Sequence, residues 1–428
     1  MERVYRLLNS EKGERVCTGI SDDACKKVPE NYFLIILTNI LTKLGDVLSA
    51  PKTVLTWVMG YIGAPIFLTS LLVPIRESGS MLPQVFLSYA LQKVKIRKKW
   101  WLIGSLIQAT SLFGIILSVL FLPGTHAGIM IIILVGLFSI GRALCSLLSK
   151  DVIGKTIPKT RRGKLNGYSS SISGMLVLIS GILLLFHPLG GAALPMLIKL
   201  VTIAGTLWII ATIIFAQIHE YVDLGESKHK DQNFSYINLL KKDTTLQKFV
   251  LARGLLISSA LMSPFVVLLS QQHIGTDIYI LGLFILSGGI ASIVSGPIWG
   301  YMADISSKKV MVRAASIVAV LSIILVVLVA SKNIIITHVW MYPVVLFILG
   351  VAHDGIRLGR KTYIIDIAEG NIRTQYVATS NTVIGILLLV IGIFTAWLGS
   401  LSLALAISVL TAMVLLGIYF SKKLPEAI

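Results

Sequence analysis

Apolar stretches long enough to cross a lipid bilayer recur along almost the whole chain, and they restrict its possible folds more than any other feature. A helix needs about 20 mostly apolar residues to cross a hydrocarbon core about 30 Å thick. Residues 102–122, LIGSLIQATSLFGIILSVLFL, reach that length without the in–out alternation of a transmembrane strand. Of the 428 residues only 14% are charged, against about a quarter in soluble domains. The sequence therefore predicts an all-α polytopic membrane protein.

We predict twelve transmembrane helices, divided six and six by one long polar connector. The predicted spans are 31–58, 64–91, 100–122, 127–149, 166–186, 193–217, 249–271, 278–302, 310–331, 337–357, 376–399 and 401–420. The predicted segments are a leader (1–30), a first six-helix half (31–217), the central connector (218–248), a second six-helix half (249–421) and a tail (422–428). The polar leader has no short apolar region, so we expect the first span to act as an uncleaved insertion signal.

Lysine and arginine are concentrated in alternate loops. The net charge is +18, and residues 93–99 (KVKIRKK) and 155–164 (KTIPKTRRGK) are strongly basic. Residues 123–128 and 271–279 carry almost no lysine or arginine. This asymmetry is the positive-inside pattern, which places both termini and the connector in the cytoplasm. Nucleic-acid binding needs a clustered basic face with interleaved aromatic residues. The sequence shows neither, so we exclude a nucleic-acid partner.

The sequence lacks the motifs of enzymes and of metal sites. It contains no Gly-x-Ser-x-Gly elbow and no Walker motif, so we predict neither a serine hydrolase nor an ATP-driven pump. Cys17 and Cys25 lie in the leader, where no histidine or further cysteine completes a ligand set. We therefore expect neither a metal site nor a disulfide there. No catalytic residue and no cofactor are predicted.

The two predicted halves are related by an internal repeat. Residues 160–174 align with residues 371–385, and Arg162 falls on Arg373 at an offset of 373 − 162 = 211. The same offset relates further basic residues, namely Lys150 with Lys361 and Arg97 and Lys98 with Lys308 and Lys309. The chain is thus predicted to contain two six-helix halves in the same orientation.

Twelve spans, cytoplasmic termini, a long central loop and parallel halves resemble the major facilitator superfamily of secondary transporters, over about residues 31–420. The loop signature of that family is Gly-x-Leu-x-Asp-Arg-x-Gly-Arg-Arg, between the second and third spans of each half. The second half has GYMADISSKK, with matches at Gly300, Asp304, Lys308 and Lys309. The first half keeps the basic residues but has Lys93 where the aspartate is expected and Tyr89 where the glycine is expected.

The resemblance implies transport by alternating access, with the solute bound near the bilayer midplane between two rocking halves. In that family the first and fourth spans of each half line the cavity, which here are 31–58, 127–149, 249–271 and 337–357. The signature residues would form a cytoplasmic gate. Arg162 and Arg373 would pair with Asp304 or Asp366 in the outward-facing state, although positive-inside topology alone would also explain these arginines.

Charged residues inside a membrane are costly, and each is therefore a functional candidate. The candidate substrate or cavity residues are Asn39, Lys43, Asp46, Arg142, Ser146, Arg253, His353 and Arg357. The spacing of Asn39, Lys43 and Asp46 places them on one helix face. Arg142 could bind an anionic solute through two hydrogen bonds, or could pair with Asp151. The sequence leaves both roles open.

Arg76 and Glu77 are neighbours in the otherwise apolar second span. Consecutive residues on a helix point about 100° apart, so these two cannot pair well with each other. Counted along the antiparallel first and second spans, Arg76 lies at the depth of Asp46 and Glu77 near that of Lys43. We therefore predict the pairs Asp46–Arg76 and Lys43–Glu77. This charge cluster would either fix helix packing or take part in proton coupling or gating.

Four residues are candidates for proton coupling, namely Asp46, Glu77, His353 and Asp354. Histidine titrates near physiological pH, and burial and neighbouring charges shift the pKa of a carboxyl group. His353 and Asp354 are the first choice. The alternative is that both belong to a cytoplasmic salt-bridge network with the basic residues that follow them.

Together these features predict a secondary active transporter that moves a small organic solute and is coupled to protons. More cations than carboxylates lie in the spans, which favours an anionic solute. Two alternatives stay open, an exporter of amphipathic or cationic compounds and a transport-inactive receptor or assembly partner. We expect a monomer in the plasma (inner) membrane of a bacterium, in contact with lipid, solute and protons.

Overall fold

The computed structural model describes residues 2–9, 17, 20–91, 94–186, 193–221, 240, 243–367 and 372–426. Within these ranges the chain forms seventeen α-helices and two short 3-10 helices, with no strand. The helices of the leader and the first half are α1 Glu2–Asn9, α2 Asp22–Lys26, α3 Val28–Leu48, α4 Val54–Tyr61, α5 Ile66–Met81, α6 Pro83–Ala90, α7 Lys98–Phe121, α8 Gly124–Thr156, α9 Arg162–Leu185 and α10 Ala193–Ala216. The second-half helices are α11 Thr244–Leu256, α12 Ser258–His273, α13 Ile278–Ile305, α14 Ser307–Ala330, α15 Met341–Asp366, α16 Ile372–Leu401 and α17 Leu403–Lys422.

Each predicted span coincides with one helix or with two consecutive helices. Eleven helical segments of the described chain are long and apolar enough to cross a membrane. The second predicted span is not among them. It is divided between α5 and α6, where α6 begins at Pro83. The all-α polytopic fold class is confirmed. The boundaries of the five segments remain predictions, and most of the connector lies outside the described residues.

The first span is interrupted at membrane depth. After α3 ends at Leu48, residues 49–53 form a turn that contains Pro51, and α4 then begins at Val54. Irregular backbone inside a membrane is tolerated where it lines a polar cavity. Ala50, Lys52 and Thr53 of this turn do line the central cavity described below. The break therefore supplies a cavity wall.

The two halves meet along two main helix pairs, α5 with α16 and α9 with α13. Glycines permit the close approach in both pairs. Gly392 of α16 lies against Pro74 of α5 so closely that an added Cβ would overlap the proline ring. In the other pair, a Cβ at Gly181 would lie 2.7 Å from Leu286 Cγ. A larger residue at either position would require Pro74 or Leu286 to shift.

One end of the bundle is closed by contacts between the halves. There the Gln271 side chain donates a hydrogen bond to the Trp57 carbonyl oxygen, with a nitrogen–oxygen distance of 3.2 Å. The Trp57 ring also meets the Phe284 ring edge-on, at a centroid distance of 5.8 Å.

The opposite end carries the first and last described segments. Asn31, which follows the leader, bonds to the His219 backbone at 2.9 Å, and Tyr363 donates to the Pro425 carbonyl oxygen at 3.0 Å. We call this end the terminal end.

The leader packs on the first half. Tyr5 of α1 is fully buried against Tyr32 of α3, with ring centroids 5.2 Å apart. Cys17 and Cys25 form a disulfide, with their Cα atoms 5.8 Å apart, so the expectation of no disulfide is wrong. The chain turns at Ser21, whose hydroxyl caps α2, and this turn brings the two cysteines together. Sequence spacing alone does not reveal such a turn.

Candidate functional site

A cavity of about 800 Å³ lies between the two halves, toward the terminal end. Its walls come from α3 and the turn that follows it, from α9, from α13 and from residues 354–361 of α15. The charged lining residues are Lys43, Asp46, Lys52, Asp354, Arg357 and Lys361. The cavity is therefore bordered by charges from both halves.

The cavity walls agree only in part with the walls that the family resemblance implied. The first and tenth spans do line the cavity, but the described residues of the fourth and seventh spans do not. Their places are taken by the fifth and eighth spans, as α9 and α13. Of the predicted cavity residues, the lining includes Lys43, Asp46 and Arg357. The predicted cavity residues outside it are Asn39, Arg142, Ser146, Arg253 and His353.

In the first half one carboxylate holds two arginines. The Asp46 carboxylate forms ion pairs with Arg142 and, at 3.5 Å, with Arg76. The Arg76 guanidinium also lies 4.9 Å from the centroid of the Phe138 ring. The predicted pair Asp46–Arg76 is confirmed. Arg142 does not pair with Asp151, because Asp46 lies closer to it in the bundle.

The predicted pair Lys43–Glu77 is wrong. The Lys43 amine donates instead to the Ser170 hydroxyl of α9, at 2.6 Å. The reason is that α3 packs against α9 on this side, so Lys43 points away from α5. Among the described residues, the Glu77 carboxylate has no ion pair or hydrogen bond. It acts electrostatically on Arg142 of its own half and on Arg360 of the other half.

In the second half, His353 and Asp354 point in different directions along α15. His353 Nδ1 lies 3.0 Å from the Ser259 hydroxyl of α12. Asp354 accepts a hydrogen bond from Ser295 of α13 at 3.1 Å and pairs with Arg357 at 2.9 Å. Neighbouring helix positions diverge by about 100°, which explains the separation. Only Asp354 reaches the cavity.

Arg253 is a buried cation that hydrogen-bonds to neutral groups. Its side chain donates to the Ser380 hydroxyl at 2.6 Å and to the Asn381 side-chain oxygen at 2.8 Å. The residue is only 8% exposed, and its Nε has no hydrogen-bond partner among the described groups. Sequence reasoning missed these two α16 residues, although they lie in a Ser/Thr/Asn-rich run that the repeat aligns with α9.

The internal repeat is visible in these contacts. Lys43 on the first span bonds to Ser170 on the fifth, and Arg253 on the seventh span bonds to Asn381 on the eleventh. Ser170 and Asn381 are 381 − 170 = 211 residues apart, the offset found in the sequence. Each half thus presents a basic side chain that is held by a neutral polar partner.

The gate residues lie at the terminal end. Lys308 pairs with Glu426 at 3.2 Å. Arg162 donates to the backbone carbonyls of Ile157 at 2.9 Å and Gly154 at 2.7 Å, and so caps the end of α8. Gly300 lies near the end of α13, and Lys309 lies in the first turn of α14. The side chains of the remaining gate residues, Asp304 and Arg373, are not among those that the structure describes. Pairing of the arginines with carboxylates remains a prediction for the state closed at this end.

The usual metal-ligand side chains are not clustered in the described part of the chain. Within those ranges, no group of three or more His, Cys, Asp or Glu side chains could hold a metal ion. The groups that the structure gathers at the cavity are ammonium, guanidinium, carboxylate and hydroxyl groups. Ammonium and guanidinium groups pair with anions, and carboxylates pair with cations or take up protons.

Solved transporter structures share this fold. A D-xylose–proton symporter superposes with a TM-score of 0.68 at 14% identity, covering 94% of this chain and 99% of that chain. The nucleoside transporter NupG gives 0.63 at 12% identity, over 91% and 98% of the two chains. The xylose transporter XylE from E. coli in an inward-open conformation gives 0.66 at 14% identity, over 93% and 97%. At such identities the likeness shows the fold alone.

Sequence comparison identifies the family. No curated protein is recognisably similar in sequence. The Major Facilitator Superfamily profile, however, matches residues 35–331, which is well over half of the chain. With the helical fold described above, this match shows that the chain is an integral multi-pass membrane protein and belongs to the Major Facilitator Superfamily of transporters.

Proposed function

We propose that the protein is a secondary active transporter that moves a small anionic organic solute by alternating access and is coupled to protons. One observation carries this proposal, namely the cavity between the halves, whose lining has more cations than carboxylates. Both lining carboxylates, Asp46 and Asp354, are already paired with arginines. An anion entering the cavity would meet amines without a carboxylate partner.

The same charge balance disfavours the alternative of an exporter for cationic compounds. A cationic solute would need a carboxylate that is free to accept it. Asp46 would have to leave two arginines, and Asp354 would have to leave Arg357. The departure of Asp46 would leave two partly buried guanidinium groups without their partner.

Proton coupling in this proposal uses Asp354. Its carboxylate holds Arg357 at 2.9 Å, three residues along α15 and at the edge of the cavity. Protonation of Asp354 would neutralise the carboxylate and release Arg357 to bind an anion. Proton and anion binding would then favour each other, because a coupling free energy between two sites is reciprocal. Half-buried Glu77 and His353 remain further candidates for proton binding.

Proton flux into proteoliposomes tests this proposal. An internal pH dye would report the response to pooled anionic, neutral and cationic metabolites. We expect the anionic pool to produce a pH change that Asp354→Asn abolishes while solute counterflow persists. Asp151→Asn, which alters a carboxylate outside the cavity, is the control. A flat dye signal beside clear uptake of labelled anion would refute proton coupling, and a response only to cations would refute the anionic solute.

A further inference from the structure

Three lysines of the cavity wall have no carboxylate partner among the described residues. Lys43 donates to a neutral hydroxyl, that of Ser170. Lys52 and Lys361 face the cavity and are exposed to it. A cation that a protein keeps in a membrane cavity without a counter-charge requires water or an anionic ligand.

These lysines come from opposite sides of the cavity. Lys43 lies on α3 and Lys52 in the turn after it, both in the first half, whereas Lys361 lies on α15 in the second half. A group with a single negative charge can offset the positive charge of only one of the two walls. A solute with two negative charges, on separate carboxylates or on the oxygens of one phosphate, can pair with both.

Further cations increase the positive charge of the second wall. Arg360 has no ion pair among the described residues, and Arg253 is held only by neutral side chains. Both act electrostatically on Lys361, as does Lys150 of α8 across the interface between the halves. Lys52 likewise acts on His353 of the opposite half. Positive charges of the two halves therefore already face each other across the cavity.

Alternating access would bring these walls together. The end opposite the terminal end is closed, so the other state requires the terminal end to close over the cavity. Closure shortens the distances between cations of the two halves, and their repulsion rises as distance and water content fall. A solute with one negative charge can offset the positive charge of one wall, but the positive charge of the other wall stays without a counter-charge.

We infer that the solute carries at least two negative charges and is held at once by Lys43 and Lys52 of the first half and by Lys361 of the second. This inference rests on the proposed function and narrows it to multivalent anions. The chemistry fits dicarboxylates and phosphate monoesters alike, since both present two charges to separate amines.

Matched pairs of ligands that differ by one charge test this inference. The purified protein would be heated with succinate or its monoamide succinamate, and with glycerol 3-phosphate or its methyl diester. The unfolding temperature reports binding without requiring transport. We expect the dianion of at least one pair to reach half-maximal stabilisation at a concentration at least tenfold below that of its monoanion.

Lysine variants test which residues are responsible for the preference for the dianion over the monoanion. Lys52→Gln and Lys361→Gln, one on each wall, should each remove most of the tenfold preference, while Lys361→Arg should retain it. Lys199→Gln, which removes an exposed lysine outside the cavity, should leave the preference unchanged. Equal stabilisation by dianion and monoanion would overturn the inference but leave an anion transporter intact. Stabilisation by cationic or neutral solutes alone would overturn the proposed function as well.

Discussion

At the residue scale, the Asp46 carboxylate determines the charge balance of the first half. It faces Arg142 and Arg76, whose side chains are 33% and 12% exposed. Two guanidinium groups at such a site repel each other, and a carboxylate between them offsets this repulsion because it attracts both. Asp46 therefore stabilises the junction of three helices, whatever its role in transport.

We predict that Asp46→Asn lowers the free energy of unfolding by about 3 kcal/mol, because two partly buried arginines lose their partner. Denaturant titration in detergent measures this change. The matched control is Asp151→Asn, which removes a more exposed carboxylate 3.7 Å from Arg97. Exposed pairs contribute little, so the control should lose less than about 1 kcal/mol. Equal losses in the two variants would contradict the assignment.

Residue pairing was only partly predictable from the sequence. The depth of a residue in the membrane follows from counting residues along antiparallel helices, and this count correctly paired Asp46 with Arg76. Rotation about the helix axis does not follow from counting, and for that reason the Lys43–Glu77 pair was wrong. Lys43 turns toward α9, a helix more than a hundred residues away in sequence. Such long-range packing leaves no local pattern in the sequence.

At the element scale, Asp243 fixes the start of α11 and ties it to α16. Its carboxylate accepts hydrogen bonds from the backbone N–H groups of Thr245 at 2.8 Å and Leu246 at 2.9 Å, and from the Tyr376 hydroxyl. Burial raises the pKa of Asp243, but these hydrogen bonds outweigh it and lower the pKa below 3.8. Ionised Asp243 therefore stabilises the folded state.

We predict that Asp243→Ala costs about 1 kcal/mol at pH 7, the usual contribution of a helix N-cap. Because the folded pKa is depressed, this contribution is present above pH 3.8 and is lost as the pH falls through the lower folded value. Unfolding temperatures of variant and parent should thus converge in acid. Asp277→Ala is the control, since Asp277 precedes α13 without capping it. An equal effect of the two variants would contradict this account.

The helix crossing at Gly392 gives a second test at this scale. A Cβ there would overlap Pro74, so Gly392→Ala should destabilise the protein by about 1–3 kcal/mol through overpacking. Gly167→Ala is the control, because that exposed helical glycine of α9 has open space around its Cβ position. It should stabilise the protein by about 0.5–1 kcal/mol. Unfolding temperatures that rise in both variants would show that the crossing tolerates a side chain.

The helices themselves were predictable because hydrophobic length is a local property. Each predicted span corresponds to helical structure, and the alignment of residues 160–174 with residues 371–385 revealed the repeat. The breaks were harder to foresee. Pro51 and Pro83 both interrupt or divide spans, whereas Pro74 lies within α5 without ending it. Whether a proline breaks a membrane helix depends on the neighbours that satisfy the freed backbone groups.

At the scale of the whole molecule, the two halves form a cavity, and both halves contribute charged residues to its lining. The sequence predicted the halves, the repeat and an excess of cations in the spans. It did not predict that α9 and α13 would supply walls, because that depends on how the halves lean against each other. The closed end and the cavity toward the terminal end are compatible with one state of the proposed alternating-access cycle.

Charge-selective uptake into proteoliposomes tests the central claim most directly. Labelled anionic, neutral and cationic metabolites would be presented to vesicles preloaded with the same unlabelled pool. We predict uptake from the anionic pool, its loss in Lys361→Glu, and unchanged uptake in Lys199→Glu, which reverses a charge outside the cavity. Uptake confined to cationic or neutral metabolites, or anion uptake that Lys361→Glu leaves intact, would contradict transport through the cationic cavity.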